Sequence, residues 1–138
     1  MITAHKNKTI ATTLAFVLGG LGVHRFYLYG WKNKGGLAHL ITAPISLVAV
    51  LNGGERPALF LASAFVASMI AGFIEALVIG LNPDDKWDAI HNPHSGIQSS
   101  SGWPLAVMLI LTAGGGATAI IAVIARTFDL LYTGGAYG

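Results

Sequence analysis

Four apolar runs separated by polar breaks make up most of the chain. Thr9 to Val23 carries no ionisable side chain, Gly35 to Gly54 only His39, Pro57 to Leu81 only Glu75, and Trp103 to Ala125 none. A helix needs about 20 apolar residues to cross the hydrocarbon core of a bilayer. The third and fourth runs reach that length outright. The first reaches it when the aromatic residues up to Leu28 are counted at the interface. In the second, Pro44 removes a backbone hydrogen bond, which predicts a kinked or partly inserted helix. The expected fold is all-α, an integral membrane bundle of three to four transmembrane helices. The helices are expected near residues 9–28, 35–52, 57–81 and 103–132, with a linker at 93–102.

The breaks read as turns. "YGWKNKGG" and "LNGGERP" are short and rich in Gly and Asn, and "NPDDKWDAIHNPHSGIQSSSG" is the one long polar connection. Trp31, Trp87 and Trp103 fall just outside apolar runs, where an aromatic belt belongs.

Composition narrows the class. The chain is 54% hydrophobic and 10% charged, whereas soluble domains carry about 25% charged residues. A net charge of +2 offers no basic field for nucleic acid, and the absence of cysteine removes disulfides, thiolate metal sites and cysteine nucleophiles. Lys6 and Lys8 ahead of an apolar run imitate a secretory leader, but no A-x-A cleavage pattern follows, so the segment is read as retained. If all four runs cross, Lys6, Lys8, Arg56 and Arg126 face one side and Arg25, Lys32, Lys34 and Lys86 the other. Four against four leaves the positive-inside rule undecided. With Arg25 set aside as buried, both termini are expected in the cytoplasm.

Small residues mark packing faces. Ala64, Ser68, Gly72, Ala76 and Gly80 recur every fourth residue, as do Ala11, Ala15 and Gly19, and Ala113 to Ala117 is a third such cluster. In lipid, such stripes let helix backbones approach closely. They serve packing within the chain, self-association, or docking onto a larger complex. Glu75 is the one carboxylate inside a long apolar run, and such a residue faces protein or water and takes a partner. Three readings stand: an ion pair with Arg25 beside His24, a protonated acid bonded to a carbonyl or serine, and a proton-titrating site. Arg25 either snorkels to headgroups or reaches inward.

Other chemistry is weakly signalled. "GLGVHR" lacks the third glycine and the preceding strand of a dinucleotide site. His91 and His94 are separated by Pro93, which spoils a metal-binding helical face. No hydrolytic triad stands out, and neither a cofactor nor a metal is implied.

The run "LGGLGVHRFYLYG", between a lysine-flanked apolar helix and a second apolar stretch, resembles the TM-two domain family of membrane hairpins. The resemblance runs through Gly19, Gly20, Gly22, His24, Arg25, Phe26, Tyr27 and Leu28, with Tyr29 intervening before Gly30. Glu75 resembles the acidic residue of the family's later helix. Trp87, Asp88 and Asn92 resemble a W-D-x-x-x-N element of bacterial members. The likeness spans roughly residues 6–92 and leaves residues 103–132 as an added helix. It implies a small membrane module in the bacterial inner membrane, without catalysis, cofactor or substrate. The expected role is a non-enzymatic scaffold or accessory unit touching lipid and other membrane subunits or copies of itself. A small transporter or channel component titrating at Glu75 or His39 is the alternative.

Overall fold

The computed structural model describes residues 4–137. The first helix, α1 (Lys8–Leu18), is opened by Asn7, whose side chain accepts from the Ile10 amide at 3.1 Å. That bond satisfies one of the amides left free at a helix start. The chain then tightens into a 3-10 turn, Gly19–Leu21, and reverses at Gly22. Gly22 has φ +70°, and a Cβ there would sit 2.8 Å from the Gly36 carbonyl oxygen. Only glycine meets both demands. Helix α2 (Val23–Tyr29) runs back along α1, where the Tyr27 hydroxyl accepts from the Asn7 amide at 2.9 Å and Lys6 Nζ donates to the Leu28 carbonyl. The expected single helix over 9–28 is therefore a helical hairpin. Lys8–Leu21 is too short to count among the spans.

Three helices are long and apolar enough to cross a membrane: α3 (Lys34–Asn52), α5 (Ser63–Leu81) and α7 (Trp103–Tyr132). Pro44 sits inside α3 without ending it. Between α3 and α5 lies one helical turn, α4 (Ala58–Leu61), so the run expected as one helix over 57–81 breaks at Ala62. The Ser46 hydroxyl on α3 accepts from the Phe65 amide at 3.1 Å and so caps the start of α5. The polar connection also departs from expectation. Its first half is a helix, α6 (Asp84–His91), with two aspartates in its first turn, where a helix dipole favours negative charge.

Helix α5 is antiparallel to α1 and α7. A Cβ added at Gly80 would meet Thr12 and Leu109, and one added at Gly116 would meet Phe73. The ends then follow. The N-terminal arm, the α2–α3 turn and α6 cluster at the Leu81 end of α5, with Tyr29 and His91 rings 5.7 Å apart. At the other end, Val123 and Thr127 of α7 line a cleft with Leu59 and Phe60. Lys6 and Tyr132 therefore lie at opposite ends of the bundle. This corrects the expectation of both termini on one side, because α1 turns back instead of crossing.

Of the small-residue stripe on α5, Ser68, Gly72, Ala76 and Gly80 are buried and Ala64 is exposed. Ala11, Ala15 and Gly19 of the first stripe are all buried. In the third cluster only Gly116 is, and Ala113, Gly114 and Ala117 face outward.

Candidate functional site

The hairpin positions the polar side chains of the membrane interior. Reversal at Gly22 points α2 at α5, and Glu75 lies between them, six residues from the end of α5 at Leu81, or about 9 Å of helical rise. Arg25 Nε donates to both Glu75 carboxylate oxygens at 3.0 Å, and Arg25 Nη2 and His24 Nε2 also bond the carboxylate. His39 Nε2 lies 3.5 Å from Oε1. Two helices, α2 through His24 and Arg25 and α3 through His39, thus converge on one acid of α5. His24 is the deepest member, 1% exposed, while Arg25 is 32% exposed and reaches a small lateral cleft beside Tyr29 and Ile79.

Hydrogen bonding fixes the tautomers. The Ser68 hydroxyl has one proton and donates it to the Gly20 carbonyl at 2.7 Å. It must therefore accept from His39 Nδ1 at 2.7 Å, which puts a proton on that nitrogen. His24 donates through Nε2 to the carboxylate, and its buried Nδ1 has no partner among the described residues.

The motif's other members hold the hairpin. A Cβ on Gly19 would fall 2.7 Å from Gly72 Cα, so α1 and α5 meet backbone to backbone there. Gly20 supplies the carbonyl for Ser68, and Phe26 stacks on Trp31 with ring centroids 5.0 Å apart. Arg25 and Glu75, proposed as partners from the sequence, meet here. His39 had been singled out only as a titrating group. Its spacing from the opening motif gives no clue that it joins them.

A second constellation closes the Leu81 end. Asn92 accepts from the Lys6 amide at 2.7 Å and donates to the Lys6 carbonyl at 3.1 Å, and Trp87 Nε1 donates to that carbonyl at 3.0 Å. The W-D-x-x-x-N residues thus clamp the N-terminal arm. Asp88 accepts from the Ser99 amide and hydroxyl, both at 2.6 Å, and so holds the linker. Asp84 pairs with Lys8 Nζ and accepts from the Ser101 amide at 2.7 Å. The Lys8–Asp84 pair was not anticipated. A lysine at the head of an apolar helix gave only a hint of it.

Lys8 and the Ser101 hydroxyl hold the Asp84 carboxyl at about 2, below its usual 3.8. A depressed folded-state pKa means that the contribution to stability is whole above the unfolded value and is lost as pH falls toward the folded one. Docking of α6 is therefore expected to hold above about pH 4 and weaken toward pH 2. Trp87 fluorescence in a Trp31→Phe, Trp103→Phe background reads this. Asp84→Asn should loosen the latch at neutral pH and flatten the acid step; an unchanged acid step in that variant contradicts the assignment.

The hairpin with the first long helix forms one unit of sequence as well as of structure. Residues 4–53 match the TM2 domain family. The TM2 match takes in α1, α2 and α3 and stops before α4, so Glu75 and the W-D-x-x-x-N residues lie beyond it. With three apolar helices of spanning length, the TM2 match makes this an integral membrane protein in contact with lipid. No curated protein and no solved structure matches the chain.

Proposed function

We propose that the chain is a non-enzymatic scaffold or accessory module of the bacterial inner membrane, built to pack within a larger membrane complex or with copies of itself. The observation that carries this reading is the engagement of Glu75. The carboxylate is tied to α2 through His24 and Arg25 and lies against His39 of α3. An acid held this way locks helices in place. The outward small residues of α7, Ala113, Gly114 and Ala117, support the reading further. A Cβ on Gly114 would meet nothing within 4 Å, so this smooth face is unused inside the chain.

Native mass spectrometry from mild detergent, at native expression, tests the proposal. A defined assembly heavier than one 14.4 kDa chain is expected, and Gly114→Leu on the outward face should dissociate it. A monodisperse single chain at every protein concentration tried contradicts it.

A second reading, a proton-titrating component of a transporter or channel, draws on the lateral cleft at Arg25 and Glu75. Proton flux into liposomes that Glu75→Gln abolishes would favour it over the scaffold.

A further inference from the structure

The folded-back hairpin regroups the charges of the chain. Lys6, Lys8, Lys32, Lys34 and Lys86 all belong to the Leu81 end of α5, because residues 27–29 pack beside Lys6 and Asn7 and α6 docks there too. The opposite end has only Arg56 and Arg126, and Arg126 is paired with Asp129. Arg25, the eighth basic residue, is engaged by Glu75. An even distribution in the linear reading becomes five against two in the folded chain.

The lysine end is also shaped for an interface. Lys32, Lys34 and Lys86 are exposed, with the exposed rings of Trp31 and Trp103 at the same end. Of the three aspartates there, Asp84 and Asp88 are engaged by Lys8, Ser99 and Ser101, which leaves Asp85 as the free acid. At the far end the free charges, Glu55 and Arg56, cancel. Tyr132, 77% exposed, supplies an aromatic there. The 30 residues of α7 give a helix about 45 Å long, against a hydrocarbon core of about 30 Å. Both collars therefore fit at headgroup level.

We propose that the collar of Lys32, Lys34 and Lys86 with Trp31 and Trp103 seats on the anionic headgroups of the cytoplasmic leaflet, and that the chain emerges at Tyr132 on the opposite side of the membrane. Lysines near membrane-spanning ends are retained on the cytoplasmic side, and anionic headgroups there attract them. Acidic residues count little in that rule, so Asp85 does not offset them.

The absence of cysteine makes the test direct, since any introduced thiol is unique. Gln98→Cys at the lysine end, and Glu55→Cys and Ala136→Cys at the other, are labelled with a membrane-impermeant maleimide. Expected is full labelling of Glu55→Cys and Ala136→Cys in intact bacterial cells, with Gln98→Cys labelled only after lysis. The reverse pattern overturns the orientation, and labelling of Gln98→Cys and Ala136→Cys from one side overturns the crossing itself. In the Gln98→Cys chain, Lys32→Glu, Lys34→Glu and Lys86→Glu together should make a fraction of molecules labelled in intact cells. Should that variant fail to accumulate, Glu55→Lys with Thr133→Lys at the far end should shift labelling the same way. Labelling unmoved by both charge sets overturns the collar as the cause.

Discussion

Replacing Glu75 with alanine is expected to destabilise the folded chain by about 3 kcal/mol, the lower end of the range for breaking a buried ion pair. The cost comes from what remains. Arg25 and His24 would keep their places on α2, facing α5 with no acceptor, in a region where water is scarce. Arg25 can turn partly into the lateral cleft, since it is 32% exposed, and that relief keeps the figure from the upper end. His24, at 1% exposure, has no such escape. Glu75→Gln should lose less, because its amide oxygen still accepts one bond from Arg25 or His24. Arg25→Leu combined with Glu75→Ala should recover part of the loss, since no guanidinium is then left unpaired. Thermal unfolding in detergent across the single and double variants gives the coupling between the two residues, expected between about 1 and 3 kcal/mol. A Glu75→Ala melting temperature equal to that of the parent would mean that the carboxylate does not lock the hairpin.

Much of this cluster is legible in the sequence, for a physical reason. A lone carboxylate in an apolar run is so unfavourable that it must have a partner, and His24 and Arg25 were the obvious candidates. The length of the apolar runs likewise located α3, most of α5, and α7. What length could not show was the direction of the chain after Leu18. Hydropathy marks the end of the first apolar run at His24 and Arg25, but it is blind to whether the chain goes on or doubles back there. The clue was local: a glycine that must take φ +70° to end one helix and begin another. Helix α6 was hidden differently. Its polar sequence resembles a linker, and it is helical because Trp87 and Asn92 dock on the Lys6 backbone. That partner lies 81 and 86 positions away in the chain. Ala64 shows the limit of counting by fours. The stripe begins before the level where α1 ends, so Ala64 lines an open cleft with Thr42 of α3 and stays exposed.

Gly19→Ala and Gly72→Ala should each cost about 2 kcal/mol, within the range for forcing one extra methyl into a filled core. The two residues face each other. A Cβ on Gly19 would lie 2.7 Å from Gly72 Cα, and one on Gly72 would lie 2.7 Å from Gly19 Cα. Backbone cannot swing aside as a side chain does, so α1 and α5 must separate. Separation there also draws Gly20 from Ser68 and tilts α2, one turn away, off Glu75. Because both substitutions attack one contact, the double variant should lose less than the sum of the singles. Gly114→Ala on the outward face of α7 is the control. With nothing within 4 Å of its added Cβ, it should leave the single chain unchanged or more stable by up to about 1 kcal/mol, the helix preference of alanine over glycine. Detergent melting curves decide the comparison. If Gly72→Ala melts with the parent while Gly114→Ala loses stability, α1 and α5 do not meet through these glycines, and the smooth face of α7 carries the packing instead.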